Sequence, residues 1–184
     1  MRVMEPDVQF TGEALSFLHT LSGDVPFFVQ MICMNCAKYA IANHRRIIGF
    51  PELQYVADIL TSHQKPNRKN YIVTPLSDMD FMGNLLDPTQ KYEQLFYSCI
   101  VKLAIVRNNI TDYVSLSDIS SLWKLNNLSD SEQDMKNARD TLLEKQILDK
   151  MVDEDEVYYK IKVDLFRRWW SKHKEEDIKF LRKE

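Results

Sequence analysis
Glycine is scarce in this sequence, with four residues in 184. That leaves little material for phosphate-cradling loops or for β folds built on tight turns, and it favours helices. No Gly-x-x-x-x-Gly-Lys-Ser/Thr occurs, so the chain has no P-loop. Cysteines number three, an odd count, and the opening MRVMEPDVQF lacks a charged stretch leading into an apolar one. A reducing, cytoplasmic setting is expected. No apolar run approaches the about 18 residues needed to cross a bilayer, so no membrane partner is expected. Base is not in excess either. The formal net charge is −3 and the pI about 5.8, which gives no overall electrostatic footprint for nucleic acid. Ser, His and Asp residues are scattered, with no Gly-x-Ser-x-Gly elbow and no His-Glu-x-x-His helix. No catalytic residues are assigned, and the chain is not expected to be an enzyme.

What the chain does have is apolar material, 45% of its residues, enough for a globular core. Its spacing is mostly helical. Thr11 is a good N-cap for a first helix with Ala14, Phe17, Leu18 and Leu21 on its apolar side. Ser22-Gly23 ends it, and Pro26 stands where a first-turn proline belongs. A long second helix should run to about His44. Val25, Phe28, Val29, Ile32, Cys36, Tyr39 and Ala40 form one apolar face, and Phe27, Met31 and Met34 a second. That pattern predicts a central, buried helix. Arg45 and Arg46 suit its negative end, Ile47-Ile48 is a short extended piece, and Pro51 opens a third helix striped by Leu53, Val56, Ala57 and Leu60. Residues 62–70 (SHQKPNRKN) read as a linker, followed by an extended connector over 71–86. The expected partition is 1–61 helical, 62–90 linker and connector, and 91–184 a second domain.

The second half has another rhythm. A helix is expected over 92–106, a short β-prone piece at Tyr113-Val114-Ser115, and a short helix from Leu116 capped by Ser115. A further helix is capped by Ser129 with Glu132 as capping-box partner, its inward stripe Met135, Ala138, Leu142 and Ile147. Two strands, 148–152 and 157–163, are joined by Asp153-Glu154-Asp155-Glu156. A last helix holds Leu165, Phe166, Trp169 and Trp170, anchored on the strands with one tryptophan exposed. The order is that of a winged helix-turn-helix domain. The expected fold class is therefore mainly α: a helical lid-like subdomain, then a winged helix with a small hairpin wing.

Two stretches carry a family resemblance. Ser22-Gly23-Asp24-Val25-Pro26-Phe27-Phe28, followed by Arg45-Arg46, resembles the lid that follows the nucleotide-binding core in STAND and AAA+-like P-loop ATPases. Val163-Asp164-Leu165-Phe166-Arg167-Arg168-Trp169 is similar to the end of the winged helix found after such lids. The resemblance covers most of the chain and implies the C-terminal regulatory portion of a larger ATPase, or a stand-alone descendant of one. ATP and Mg would then be cofactors of the full-length protein, with none in this chain. It carries over one nucleotide-proximal position, Pro26. The family's second glycine is Asp24 here, where a carboxylate would face phosphate unfavourably.

Three candidate chemistries remain. Cys33 and Cys36 form a Cys-x-x-Cys without the second ligand pair that zinc needs. They also lie well inside a helix with Cys36 on its apolar face, so packing is expected. On the helix that would read DNA, the outward face carries Asp130, Gln133, Asn137, Asp140 and Glu144, with Lys136 and Arg139 to the flank. The wing tip adds four consecutive acids, which repel phosphate. A protein partner, or the chain's own ATPase core, is therefore expected, and a DNA-binding transcriptional regulator is the alternative. Arg167, Arg168, Lys172 and Lys174 on the last helix, with Lys65, Arg68 and Lys69, are expected to be a solvated helix face and a soluble linker, the alternative being a docking surface for an acidic partner such as the chain's own wing.

Overall fold
The computed structural model describes residues 8–62, 73, 75–76, 91–106, 113–126, 132–175, 178 and 181. Nearly all of the expected linker and connector lies outside them, as do Lys65, Arg68, Lys69 and the cap Ser129. Among the described residues the chain is mainly helical, with seven helices and a small antiparallel sheet. It divides into two compact units, one of Met1–Leu76 with Val163–Lys172, the other of Ser77–Lys162 with His173–Glu184.

The first unit begins with β1 (Gln9–Phe10), α1 (Gly12–Ser22), α2 (Pro26–Ala42), β2 (Ile47–Ile48) and α3 (Phe50–Leu60). Thr11 caps α1 by accepting from the Ala14 amide at 3.3 Å, and Ala14, Leu18 and Leu21 are buried. Pro26 is the first residue of α2. The stripe Leu53, Val56, Ala57 and Leu60 of α3 is fully buried, each large residue contributing roughly 1.5–3 kcal/mol of transfer free energy. β1 pairs in parallel with β2, Gln9 opposite Ile47 and Phe10 opposite Ile48.

Two expectations for α2 need correction. It is not buried on both apolar faces: Phe28, Met31, Ile32, Cys36 and Ala40 are buried, whereas Phe27, Met34 and Ile41 are exposed. Both α1 and α3 pack on α2, and the cover they provide extends to one side. Nor does the Arg45 side chain serve the end of α2. Its amide closes the helix on the Ala40 carbonyl at 2.9 Å, while its guanidinium pairs with Glu52 of α3. Glu52 also accepts from the Gly49 amide at 3.0 Å, so one carboxylate caps α3 and holds the preceding turn.

This unit also contains most of the last helix, α7 (Asp164–His173), which the sequence reading had attached to the second half. Both tryptophans are buried, together with Leu165 and Phe166. The expectation of one exposed tryptophan fails because Phe166, Trp169 and Trp170 form one aromatic cluster, with ring centroids 5.6–6.3 Å apart. A buried cluster of this kind adds to area burial through its ring geometry.

The second unit contains α4 (Lys91–Val106), β3 (Val114–Ser115), α5 (Leu116–Leu125), α6 (Glu132–Glu144), β4 (Leu148–Asp153) and β5 (Glu156–Ile161). Six successive residues of α4, Phe96 to Val101, are buried, and the helix packs against α5, α6, β3 and β5. Ser115 caps α5 through the Asp118 amide at 3.2 Å. Gln146 adopts a left-handed conformation with φ 56°. The chain there leaves α6, with Ile147 bonded back to the Leu142 carbonyl at 3.0 Å. The sheet order is β3-β5-β4, all antiparallel. Lys102 of α4 donates to the carbonyls of Ile178 and Leu181, both at 3.0 Å, and so holds the C-terminal segment.

Candidate functional site
Four places in the fold carry the sequence-predicted residues. The first is the turn between α1 and α2. Gly23 (φ 56°) and Asp24 (φ 60°) are consecutive left-handed residues, a conformation that disfavours any side chain. The Gly23 amide closes α1 on the His19 carbonyl at 2.9 Å, and the Asp24 carboxylate pairs with the His19 imidazole. Pro26 follows as an exposed residue. The position where the resemblance expects a second glycine is thus one where glycine is favoured. Replacing Asp24 by glycine is expected to raise thermal stability by a few tenths to about 1 kcal/mol, since the exposed ion pair it removes contributes little. Asp24→Ala is expected to lower stability instead, by about 1 kcal/mol. Parallel melts of the two variants check the sign.

The second place is the cysteine pair. Cys36 is buried and Cys33 half-buried, and both are free thiols. Burial pushes the Cys36 thiol up to about 12, the neighbouring Cys33 adding to the rise. Burial alone does the same to Cys99, also to about 12, and raises Cys33. Raised thiol pKa values disfavour the reactive thiolate. Among the described residues no group of His, Cys, Asp and Glu is placed to hold a metal ion. The linkage has a definite sign. A thiol that ionises near 9.0 when unfolded and near 12 when folded lends stability below pH 9 that is lost as pH rises toward 12. Unfolding measured between pH 8 and pH 11 should show falling stability, with a shallower fall in Cys36→Ala/Cys99→Ala. Alkylation of the native protein should reach Cys33 first.

The third place is the outward face of α6 and the β4–β5 hairpin. Gln133 and Asn137 are exposed and bonded to each other, Gln133 Nε2 donating to Asn137 Oδ1 at 2.7 Å. Glu144 is exposed and Asp140 half-buried; Asp130 lies outside the described residues. Arg139 does not stand free at the flank. Its Nε donates to Asp140 Oδ1 at 2.8 Å, and its side chain bonds the buried Tyr159 of β5, opposing the rise that burial imposes on that phenol. At the hairpin tip, Glu154 is left-handed (φ 51°), and Asp153, Glu154 and Asp155 are exposed. Glu156 reaches back to accept from the Ser117 amide at 3.2 Å. These acids and carboxamides share one unit, with Lys136 the exposed base on α6.

The fourth place is the basic side of α7, and here the side chains are already engaged. Arg167 is buried and donates to Asp164 Oδ1 at 2.6 Å. Arg168 donates to Asp164 Oδ2 at 2.8 Å, lies 3.6 Å from Asp58 and covers the Phe17 ring at 5.3 Å. Lys172 donates to Thr61 Oγ1 at 2.9 Å and lies 3.8 Å from Asp58. Arg168 and Lys172 fasten α7 to α1 and α3, whereas Arg167 is held within α7. Asp164 gathers Arg167 and Arg168 from three and four residues before them, whereas Asp58, which faces Arg168 and Lys172, is more than a hundred positions away and has no local signal. For Asp164, its helical spacing with the two arginines was the available signal.

Comparison with known proteins returns no match for this chain: no protein family, no curated protein and no solved structure.

Proposed function
We propose that the chain is a non-catalytic regulatory module, the lid and winged-helix portion of a STAND or AAA+-like P-loop ATPase, which couples the nucleotide state of an ATPase core to contacts with a protein partner. In the second unit, α4, β3, α5, α6 and a β4–β5 hairpin follow in the order of a winged helix-turn-helix, with β3 paired to the second strand of the hairpin. In the first unit, the left-handed Gly23-Asp24 turn runs into Pro26 at the start of α2, which supports the lid reading. The observation that carries the protein-contact role is the charge of the surface that would meet DNA. The exposed acids Glu144 on α6 and Asp153, Glu154 and Asp155 at the hairpin outnumber the exposed bases Lys136 on α6 and Lys150 on β4, and Asp140 is already paired with Arg139. Phosphate neutralisation by Lys and Arg supplies most non-specific DNA affinity, and this surface opposes it.

The test has two arms. Fluorescence anisotropy with labelled duplex DNA should give no binding at low salt or at about 0.15 M. Salt-dependent binding would establish the DNA-binding regulator instead, with Gln133 and Asn137 as the base-reading side chains. The coding sequence upstream of Met1 should contain an in-frame P-loop, and ATP hydrolysis by the isolated chain would overturn the proposal.

A further inference from the structure
The wing has an unpaired edge. In the order β3-β5-β4, β4 is outermost, and among the described residues it pairs only with β5. Alternate residues of an antiparallel strand point N–H and C=O away from their partner, so the far side of β4 presents these groups for pairing. Edge strands are commonly blunted by proline, a bulge, shortness or charged side chains, lysine above all, and of these β4 uses charge alone, at Asp149, Lys150 and Asp153. β4 runs six residues without proline, and its register with β5 is one-to-one throughout. Residues 150–155 are all exposed, including Met151 at 39% and Val152 at 60%.

The register sorts the side chains. Asp149, Met151 and Asp153 share one face, opposite Lys160, Tyr158 and Glu156; Lys150 and Val152 share the other, opposite Tyr159 and Val157. The first face thus reads acid, apolar, acid at alternate positions, and Glu154 and Asp155 extend the negative charge past its end. The carboxylates of Asp153, Glu154 and Asp155 have no ion pair or hydrogen bond among the described residues.

We propose that the β4 edge is a docking site for an extended basic segment of a partner protein, which joins the sheet as a fourth strand. In strand addition the backbone supplies the affinity and alternate side chains supply the selection. A strand in register places residues i, i+2 and i+4 beside Asp149, Met151 and Asp153, so the matching pattern is basic-x-apolar-x-basic. It reads the same in both directions. Lys150, on the opposite face, disfavours a base at the position beside it. This inference rests on the protein-contact reading of the second unit and names the chemistry of the partner.

The isotopically labelled full chain is titrated with a capped Lys-Thr-Leu-Thr-Lys peptide and followed by amide chemical shifts. Saturable shifts along β4 and β5 are expected. A peptide with proline in place of both the first threonine and the leucine, which removes an N–H facing β4 in either strand direction, should fail. In Asp149→Asn/Asp153→Lys affinity should fall roughly tenfold, as expected for two cross-strand charge pairs, while a Glu-Thr-Leu-Thr-Glu peptide gains. Absence of shifts at β4, undiminished binding of the proline peptide, or pairing of β4 with a second copy of the chain would overturn the proposal. Labelled duplex DNA serves as the parallel arm. Salt-dependent DNA binding removes the protein-contact reading itself, whereas peptide failure without DNA binding removes strand addition alone.

Discussion

Asp164→Ala is expected to destabilise the first unit by about 3–5 kcal/mol, the range for stripping one partner from a buried ion pair. The carboxylate receives Arg167 on one oxygen and Arg168 on the other. Arg168 keeps Asp58 and the Phe17 ring when Asp164 is lost. Arg167, only 6% exposed, would keep a desolvated guanidinium without its carboxylate. The loss therefore belongs mainly to Arg167, and a second substitution isolates it. Asp164→Ala/Arg167→Met should be considerably more stable than Asp164→Ala alone, because it removes the stranded charge. Arg168→Ala should cost only about 1 kcal/mol, as a partly exposed cation. Denaturant unfolding of the three variants decides the point, and a loss below about 1 kcal/mol for Asp164→Ala would show that the pair is not a stabilising contact.

Phe96→Ala is expected to have a comparable effect in the second unit, about 3–5 kcal/mol, from lost burial plus the cavity left behind. Phe96 is fully buried on α4. It meets Tyr159 of β5 edge-on at 6.0 Å and Trp123 of α5 at 6.3 Å. It therefore ties α4 to both α5 and β5. Phe96→Leu keeps most of the volume and should cost less than half as much. Denaturant midpoints give the magnitudes. Near-ultraviolet dichroism at the aromatic bands should weaken in the alanine variant in step with them.

The elements legible in sequence were those whose cause is local. Thr11 and Ser115 announce helix starts because a cap is a bond across three residues. The α3 stripe follows from spacing alone. β1 was not anticipated, since two residues carry no pattern and its pairing with β2 depends on the return of the chain after α2. On α2, periodicity shows which side chains are apolar but not how far α1 and α3 extend to cover them. The same distinction applies to the candidate site. The acidic face of α6 and the acidic hairpin tip can be read directly from residue types. The engagement of Arg139 with Tyr159, and of Arg168 and Lys172 with Asp58, cannot, because each joins residues at least twenty positions apart. The basic side chains of α7 looked free in sequence because their acidic partners belong to another helix or to the helix start.

The chain enters the first unit, leaves it for the second, returns for Val163–Lys172 and leaves again. The Lys172–Thr61 hydrogen bond spans 111 positions. On a ribosome adding roughly 5–20 residues per second, on the order of ten seconds separate the emergence of α3 from that of α7. Throughout that interval α1 to α3 lack the helix that completes their unit, with Asp58 and the Phe17 ring still waiting for Arg168. No single cut in the chain yields either unit whole. The nascent first unit is therefore open to a holding chaperone until α7 emerges.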